Sequence, residues 1–320
     1  MEQNKNDGSK DTKDQFISEI SMLISAVSMG FVGLMVDFLS DFPTYSIVLF
    51  RGVFGTFFLT IWMMKMGAFS KTFLKYNFKL HWKNLVVLIL IYPLGILFYF
   101  LNIQVSGYAI AAFLLYMNGI ILLGIEYITK EEETIPRINI LSFFLAIAGV
   151  LVIMEVWEGS LLLNSLLFGF GSAIFLAINI FIRKMMYKRR YRSKGAGRDD
   201  EGAFDTFLAW WATITLIIFF LPLGASDLLR LGLLDLFVCL LLGLIPTALA
   251  FILYNIGIKN DKTGNVIILG YFEPFVATIN TAIFLQKFSI FTVLGGGLII
   301  IANIIVIRKS KRSKRIDITK

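Results

Sequence analysis

The sequence contains one cysteine, one histidine and few charged residues, and each shortage excludes a class of protein. Only 16% of its 320 residues are charged, whereas about a quarter of the residues of a soluble domain carry charge. Cys239, as the single cysteine, cannot form a disulfide within the chain. The single histidine, His81, lies in a lysine-rich segment, where we expect it to be solvated rather than a ligand. The N-terminus has no short apolar core followed by a cleavage site of small residues, so it predicts no cleaved signal peptide.

Sequence motifs of catalysis are also missing. The chain has no histidine pair, no aspartate-rich metal motif, no Gly-x-Ser-x-Gly and no phosphate-binding loop. General acid–base chemistry would have to depend on Glu273 or Glu126 alone. We therefore expect a protein that is not an enzyme, requires no metal or cofactor and does not hydrolyse ATP.

Long apolar runs make up most of what is present. Hydrophobic residues form 57% of the chain, with 31 Phe. Ten runs of roughly 18–25 residues are long enough to cross a bilayer, and backbone groups in lipid must form hydrogen bonds within their own segment. The sequence therefore predicts an all-α integral membrane protein with ten transmembrane helices and both termini on one side. The runs are 17–38, 44–64, 84–103, 108–129, 138–157, 161–182, 204–223, 232–258, 264–285 and 289–307.

Positive charge is concentrated in every second connection. If both termini are cytoplasmic, the inner segments hold 27 of the 30 Lys and Arg residues, which agrees with the positive-inside bias. The positive residues behind the net charge of +8 therefore indicate how the chain is oriented in the membrane, and we expect no nucleic-acid partner. We expect the plasma membrane as the location, with the basic groups near the anionic lipids of the inner leaflet. These groups include Lys71, Lys75, Lys79 and Lys83, the run 183–198 and the run 308–315.

Two segments of the chain, 93–154 and 246–307, have the same layout. With a shift of 155, Tyr116 aligns with Tyr271, Asn118 with Glu273, and Glu131 with Gln286. Five spans are an odd number, so the second copy must be inverted, and inverted repeats allow alternating access. The predicted parts are a tail at 1–16, a first five-helix repeat at 17–157, a second at 161–307 with a basic cytoplasmic loop at 183–203, and a tail at 308–320.

Glu273 is the most distinctive candidate site residue, because charged groups inside the hydrocarbon are costly and usually functional. It lies about nine residues into the ninth run, directly before Pro274. Proline removes a backbone donor, so the helix can bend there. The carboxylate then either binds a substrate amine, a cation or a proton, or serves packing and gating.

Arg51, early in the second run, is the second charged candidate. An arginine there either holds a carboxylate through two parallel hydrogen bonds, or it pairs with Asp37 or Asp41 or extends to the membrane interface.

The remaining candidates are uncharged side chains within the runs and two acidic groups near their inner ends. Buried amides either contact a ligand or form hydrogen bonds across helices. Tyr116 and Tyr271 each lie two residues before a central polar group, which favours a place in the cavity wall. Glu126 and Glu131 are assigned to gating, as is Pro274. The other cavity candidates are Tyr99, Asn102, Asn118, Asn179, Trp210 and Asn255.

The stretch from Ala248 to Ile307 resembles the second repeat of the EamA family, in the drug/metabolite transporter superfamily. The family's tyrosine–x–Glu–Pro element is present as Tyr271 to Pro274, its Gly-rich last helix as LGGGLIIIANIIVI, its early arginine as Arg51 in LFRGVF, and the end of its sixth helix as AINIFIRK. The chain departs from the family at Leu285 to Lys287, where Leu-Gly-Glu is usual, and at Asn118-Gly119, where proline is usual.

The resemblance implies a secondary or facilitative transporter of amino acids or related small metabolites, working by efflux or exchange. It makes protons a candidate coupling ion and a homodimer a candidate assembly. The alternatives are a sugar-nucleotide or other metabolite exchanger of the same superfamily, or a non-transporting scaffold or enzyme of the membrane. The candidate cavity residues carry few charges, which favours a zwitterion or a neutral solute over a polyanion.

Overall fold

The computed structural model describes residues 2–129, 137–153, 155, 163–192, 201–259, 269–270, 272–284, 286 and 289–318. Every regular element within these residues is helical, as the apolar composition predicts. The helices are α1 Glu2–Met29, α2 Val32–Phe38, α3 Thr44–Lys65, α4 Lys71–Ser106, α5 Tyr108–Leu115, α6 Asn118–Ile128, α7 Arg137–Ile153, α8 Leu163–Arg192, α9 Glu201–Leu228, α10 Leu233–Gly243, a π-helical segment Leu244–Leu249, α11 Ala250–Lys259, α12 Glu273–Phe284 and α13 Ile290–Ile318.

Seven segments of the described chain are long and apolar enough to cross a membrane. Two more apolar helices, Phe144–Ile153 and Ile290–Ala302, are shorter. The protein is therefore a multi-pass membrane protein, while the count of ten spans stays a prediction. The seven segments are Phe16–Phe38, Thr44–Lys65, Lys71–Ser106, Tyr108–Ile128, Leu163–Arg190, Gly202–Leu228 and Leu233–Gly257.

Helix α4 is longer than the predicted span 84–103, because it already begins at Lys71. Its first turns are amphipathic: Asn77, His81 and Leu85 are buried, and the lysines every fourth residue lie on the exposed side. The prediction that His81 is solvated is wrong. Its ring is fully buried, 5.2 Å from the ring of Phe204 between centroids, because the helix turns that face toward α9.

Helices also extend into segments predicted as a tail and a loop. Helix α1 begins at Glu2, inside the predicted tail. Helix α8 continues to Arg192, and α9 begins at Glu201. Much of the segment predicted as the loop 183–203 is therefore helical.

The helices pack in pairs that are distant in sequence. Helix α3 packs along α9, α4 along α8, α1 along α11, and α7 along α13. Two glycines bring α7 and α13 together, because a Cβ atom on Gly149 would lie 2.6 Å from the carbonyl oxygen of Gly295. Among the described residues, the largest core cluster joins the second half of α4 to α2, α3, α5, α9 and α10.

Candidate functional site

Two helices begin at the positions that the shift of 155 aligns. Helix α5 ends at Leu115 and α6 begins at Asn118, while α12 begins at Glu273 after a turn at Phe272. Pro274 is the second residue of α12, where a helix does not need the missing backbone N–H. The bend predicted at Pro274 is therefore an interruption of the helix directly before Glu273.

A tyrosine connects the two interruptions. The hydroxyl oxygen of Tyr116 lies 2.8 Å from Oε2 of Glu273 and 2.9 Å from the carbonyl oxygen of Gly270. Glu273 is 6% exposed, so this bond satisfies a carboxyl group that water barely reaches. Two of the predicted candidates are thus in direct contact.

This contact accommodates both protonation states of the carboxyl group. A hydroxyl carries one proton, so Tyr116 donates to an ionised Glu273 and leaves the carbonyl of Gly270 without that bond. A protonated Glu273 instead donates to Tyr116, which then donates to Gly270. Glu273 is hydrogen-bonded to Tyr116 in either state, so a proton can be taken up or released without leaving the buried carboxyl group unpaired.

Arg51 lies in the interior of the bundle rather than at its surface. Its Nε donates to Oγ1 of Thr247 at 3.1 Å, and its Nη2 donates to the carbonyl of Pro246 at 3.3 Å. The side chain is 4% exposed, and its Cζ lies 5.6 Å from the centroid of the Phe100 ring. The alternative of an ion pair with a nearby aspartate is wrong, because neither Asp37 nor Asp41 is a partner of Arg51 in the described chain.

Local chemistry explains why Thr247 and Pro246 hold this arginine. Pro246 has no N–H, so the carbonyl of Leu242, one turn earlier, loses its usual helical donor. The hydroxyl of Thr247 donates to that carbonyl at 2.8 Å, and the backbone widens into the π-helical segment, a feature common at functional sites. Thr247 was not among the candidates predicted from the sequence. The pattern that could have indicated it is a threonine directly after a proline in an apolar run.

Thr247→Val is expected to lower the free energy of unfolding by about 1–3 kcal/mol, since it removes both the acceptor of Arg51 and the donor to Leu242. The thermal unfolding midpoint of the purified protein measures this effect. Thr215→Val is the matched control, because Thr215 is equally buried and donates only within its own helix, to Ala212. Equal shifts for the two variants would contradict the assigned role of Thr247.

Glu273, Arg51 and Tyr99 interact electrostatically with one another. Tyr99 and Asn179 also line one cavity, together with Tyr92, Gly95 and other residues of α4 and α8. Its volume is about 40 Å³, close to the roughly 30 Å³ that one water occupies in the liquid. Tyr99 and Asn179 thus line a space that is too small for a metabolite, so a solute could bind beside them only if the helices moved apart.

Two of the predicted asparagines form hydrogen bonds with the protein, one of them between helices α4 and α8. Oδ1 of Asn102 accepts from Ser106 at 2.8 Å and from Ser165 at 3.0 Å, while its Nδ2 is buried without a partner in the described chain. Nδ2 of Asn118 donates to the carbonyl of Leu115 at 2.7 Å, across the interruption between α5 and α6. These are contacts within the protein, and ligand binding by either amide stays a prediction.

The other candidates do not join the group around Glu273. Trp210 donates from Nε1 to Oγ1 of Thr60 at 2.9 Å, which ties α9 to the end of α3. Asn255 is partly buried on α11, and its Nδ2 has no partner among the described residues. Tyr271 and Glu131 lie outside the residues that the structure describes.

One end of the bundle is closed by contacts between helices; we call it the closed end. Glu126, at the end of α6, forms an ion pair with the exposed Lys184 of α8, which is worth no more than about 1 kcal/mol at such a site. Arg190 donates to Asn77 at 2.9 Å and lies 4.4 Å above the centroid of the Phe204 ring. This buried arginine was not predicted as a candidate from the sequence. It lies in a basic run whose charge was interpreted only as orienting the chain in the membrane.

The opposite end contains an open pocket of about 940 Å³, which we call the end pocket. Helices α3 and α4 connect the two ends, since Thr44 and Gln104 line the pocket and Thr60 and Asn77 lie at the closed end. The described lining comes from α2, α3, α4, α5, α12, α13 and the connections beside them: Val36, Asp37, Ser40, Phe42, Pro43, Thr44, Ile103 to Ile110, Thr278, Thr281, Gln286, Ser289 and Thr292.

Comparison with known proteins agrees with this architecture. The model of the EamA-like transporter family matches the sequence twice, at residues 16–155 and 163–308. A protein of known crystal structure has a similar fold, with a TM-score of 0.57 over 92% of this chain and 98% of that one. The two sequences are 14% identical, so this likeness shows the fold alone. No curated protein sequence matches this chain.

Proposed function

Since the chain belongs to the EamA-like transporter family, we propose that it is a secondary transporter that moves small polar metabolites by alternating access. The observation that carries this proposal is the hydrogen bond between Tyr116 and Glu273. It joins two helix interruptions near the middle of the bundle, and transporters bind solutes and coupling ions at such discontinuous helices.

The proposed architecture is ten spans in two inverted five-helix repeats, 17–157 and 161–307. Interruptions before Asn118 and Glu273 lie 155 positions apart, and prolines at 93 and 246 lie inside helices at matching places in the two proposed halves. In this scheme α5 and α6 form one span, and α10, the π-helical segment and α11 form another. Spans 1–4 and 6–9 surround the site, while the fifth and tenth spans, formed by α7 and α13, support it.

The proposed cycle alternates between the two ends of the bundle. The conformation described here has the end pocket open and the contacts of Glu126 and Arg190 in place at the closed end. A solute that moves inward from the pocket requires the small cavity beside Tyr99 to widen. Separation of α6 from α8, and of α4 from α8, then opens the other end.

The proposed substrate class is a zwitterion such as an amino acid. A buried guanidinium can bind a carboxylate through two parallel hydrogen bonds, and within the described chain Arg51 bonds to the protein through Nε and Nη2. Glu273 supplies the opposite charge for an ammonium group, or exchanges a proton through the contact with Tyr116. A polyanion such as a sugar nucleotide would bring several negative charges to a site with one arginine and one carboxyl group.

In the proposed orientation, both termini and the closed end face the cytoplasm, and the end pocket opens to the outside of the plasma membrane. The basic segments at the closed end support this orientation, because positive residues favour the cytoplasmic side. Assembly as a homodimer stays a prediction.

Transport by purified protein in proteoliposomes tests the proposed function. The panel should contain amino acids, their amides, neutral polyols and sugar nucleotides, each measured with and without an imposed pH gradient. We expect saturable uptake of one or more amino acids, increased by the gradient, and no uptake of the polyanions. If no solute of the panel moves, the protein is a scaffold or an enzyme rather than a transporter.

A further inference from the structure

The end pocket contains polar groups that the proposed transport site does not use. We propose that it is a second solute site, separate from Glu273, which binds a primary ammonium group between the carboxylate of Asp37 and the hydroxyl of Tyr108. Both residues line the pocket. They come from different elements, since Asp37 lies near the end of α2 and Tyr108 begins α5.

The hydroxyl of Tyr108 lacks a well-formed hydrogen bond to the described chain. Its side chain is 2% exposed, and no described group meets its hydroxyl at ordinary hydrogen-bond distance and angle, while Asp37 is close enough to interact with it. A buried hydroxyl is rarely left without a full hydrogen bond unless a ligand or water meets it. An ammonium group between this hydroxyl and Asp37 would complete the hydrogen bonding of both.

The packing of the Tyr108 ring places it beside the face of α2 that carries Asp37. The ring lies directly on Gly33, where a Cβ atom would be 2.4 Å from Cγ of the tyrosine. Gly33 is one helical turn before Asp37 on α2, so both residues lie on the same face of that helix. Tyr108 and Asp37 interact electrostatically, and Asp37 itself is exposed to the pocket. An acceptor hydroxyl and an anionic carboxylate thus converge at the pocket wall.

The charge of the lining favours a cation over an anion. Asp37 is the one charged side chain among the described lining residues. The other polar side chains are hydroxyls and amides, from Ser40, Thr44, Gln104, Ser106, Thr278, Thr281, Gln286, Ser289 and Thr292. An ammonium group can donate to Asp37, to the tyrosine oxygen and to a neighbouring hydroxyl at once, whereas a carboxylate or phosphate would be repelled by Asp37.

The size of the pocket suits a solute rather than a single ion. Its volume of about 940 Å³ lies within the range of roughly 300–1,000 Å³ that is typical of small-molecule sites. The hydroxyls of Thr278 and Thr281 line its wall on α12, the helix that begins at Glu273. A solute held at the end pocket is thus positioned at the same helix that carries the proposed transport site, about one to two turns away from Glu273.

Cysteine labelling in the pocket tests this proposal without transport. Ser40→Cys places a thiol in the exposed lining, and Cys239→Ser in the same protein removes the only native cysteine, which is buried. N-ethylmaleimide, which is uncharged, labels the new thiol, and mass spectrometry of the detergent-purified protein gives the rate. The probes are n-butylammonium and n-butyrate, which have chains of equal length and opposite charge.

We expect butylammonium to slow the labelling and butyrate to leave it unchanged. In Asp37→Asn, the butylammonium concentration for half protection should rise at least about ten-fold, because a hydrogen bond to a charged group is lost. Tyr108→Phe, which keeps the ring, should raise it several-fold. Asp41→Asn is the matched control, since Asp41 lies four residues after Asp37 and is an exposed carboxylate outside the lining of the pocket. It should change the value less than two-fold.

Three results would overturn the proposal: equal protection by butyrate, unchanged protection in Asp37→Asn, or an equal loss in Asp41→Asn. Because the protein is in detergent and no gradient exists, failure here leaves the proteoliposome result on the proposed function unaffected.

Discussion

Glu273→Gln is expected to abolish solute accumulation driven by a pH gradient while exchange of the solute continues. Glutamine keeps the size of the side chain and can still accept the hydrogen bond from Tyr116, so the fold should be retained. It cannot take up or release a proton, so a gradient can no longer act through this position. Uptake into proteoliposomes, with and without the gradient, should differ at least about ten-fold in the parent protein and by less than two-fold in the variant, since each 1.4 kcal/mol of driving force is a factor of ten.

Glu126→Gln is the matched control for this experiment, because Glu126 is the other acidic candidate within the described helices and pairs with Lys184 at the closed end. It should keep gradient-driven accumulation. Tyr116→Phe removes the hydroxyl that connects Glu273 to Gly270 and should weaken the response to the gradient without abolishing exchange. Full gradient-driven uptake in Glu273→Gln would place the coupling proton elsewhere.

Arg51→Lys is expected to reduce affinity for an amino acid far more than affinity for the corresponding amino-acid amide. Lysine keeps the positive charge but loses the planar pair of donors that matches a carboxylate. The loss of a charge-assisted hydrogen bond, about 1.5–3 kcal/mol, corresponds to roughly ten- to a hundred-fold weaker binding of the acid. The amide has no carboxylate, so its affinity should change several-fold at most.

Competition between the two ligands for uptake of a labelled amino acid measures this ratio. The comparison separates recognition from folding, because a general loosening around Thr247 and Pro246 would weaken both ligands. An equal loss for the acid and the amide would mean that Arg51 only stabilises the π-helical segment.

The helix interruptions show what the sequence could and could not predict. Pro274 indicates the interruption beside Glu273, because proline cannot continue the hydrogen bonds of a helix. The matched interruption before Asn118 has no proline to indicate it. There the side-chain amide of Asn118 donates to the carbonyl of Leu115 and replaces a helical hydrogen bond, as asparagine does at turns.

The burial of His81 could have been predicted from a pattern within the sequence. Lys71, Lys75, Lys79 and Lys83 recur every four residues, which is the spacing of one face of a helix. That spacing predicts a continued helix α4, with Asn77 and His81 on the opposite, buried face. The lysines carry two kinds of information, the orientation of the chain in the membrane and the exposed face of a helix, and only the first entered the prediction.

The contacts of the candidate site could not be predicted in the same way. Arg51 contacts a carbonyl 195 positions away, and Tyr116 contacts a carboxyl group 157 positions away. Both were candidates because polar groups in apolar runs are unusual. Their partners depend on how the two halves of the chain pack, and neither spacing nor composition specifies that packing.

Solute counterflow in proteoliposomes tests most directly the claim that one site is exposed alternately to the two sides. Vesicles loaded with an excess of an unlabelled amino acid from the transported class are diluted into a trace of the same labelled compound. Alternating access at the site of Arg51 and Glu273 predicts a transient accumulation of label above equilibrium, and saturation as the external concentration rises. A label that only equilibrates, at a rate independent of the internal load, would contradict the account and indicate a pore or a protein that does not transport.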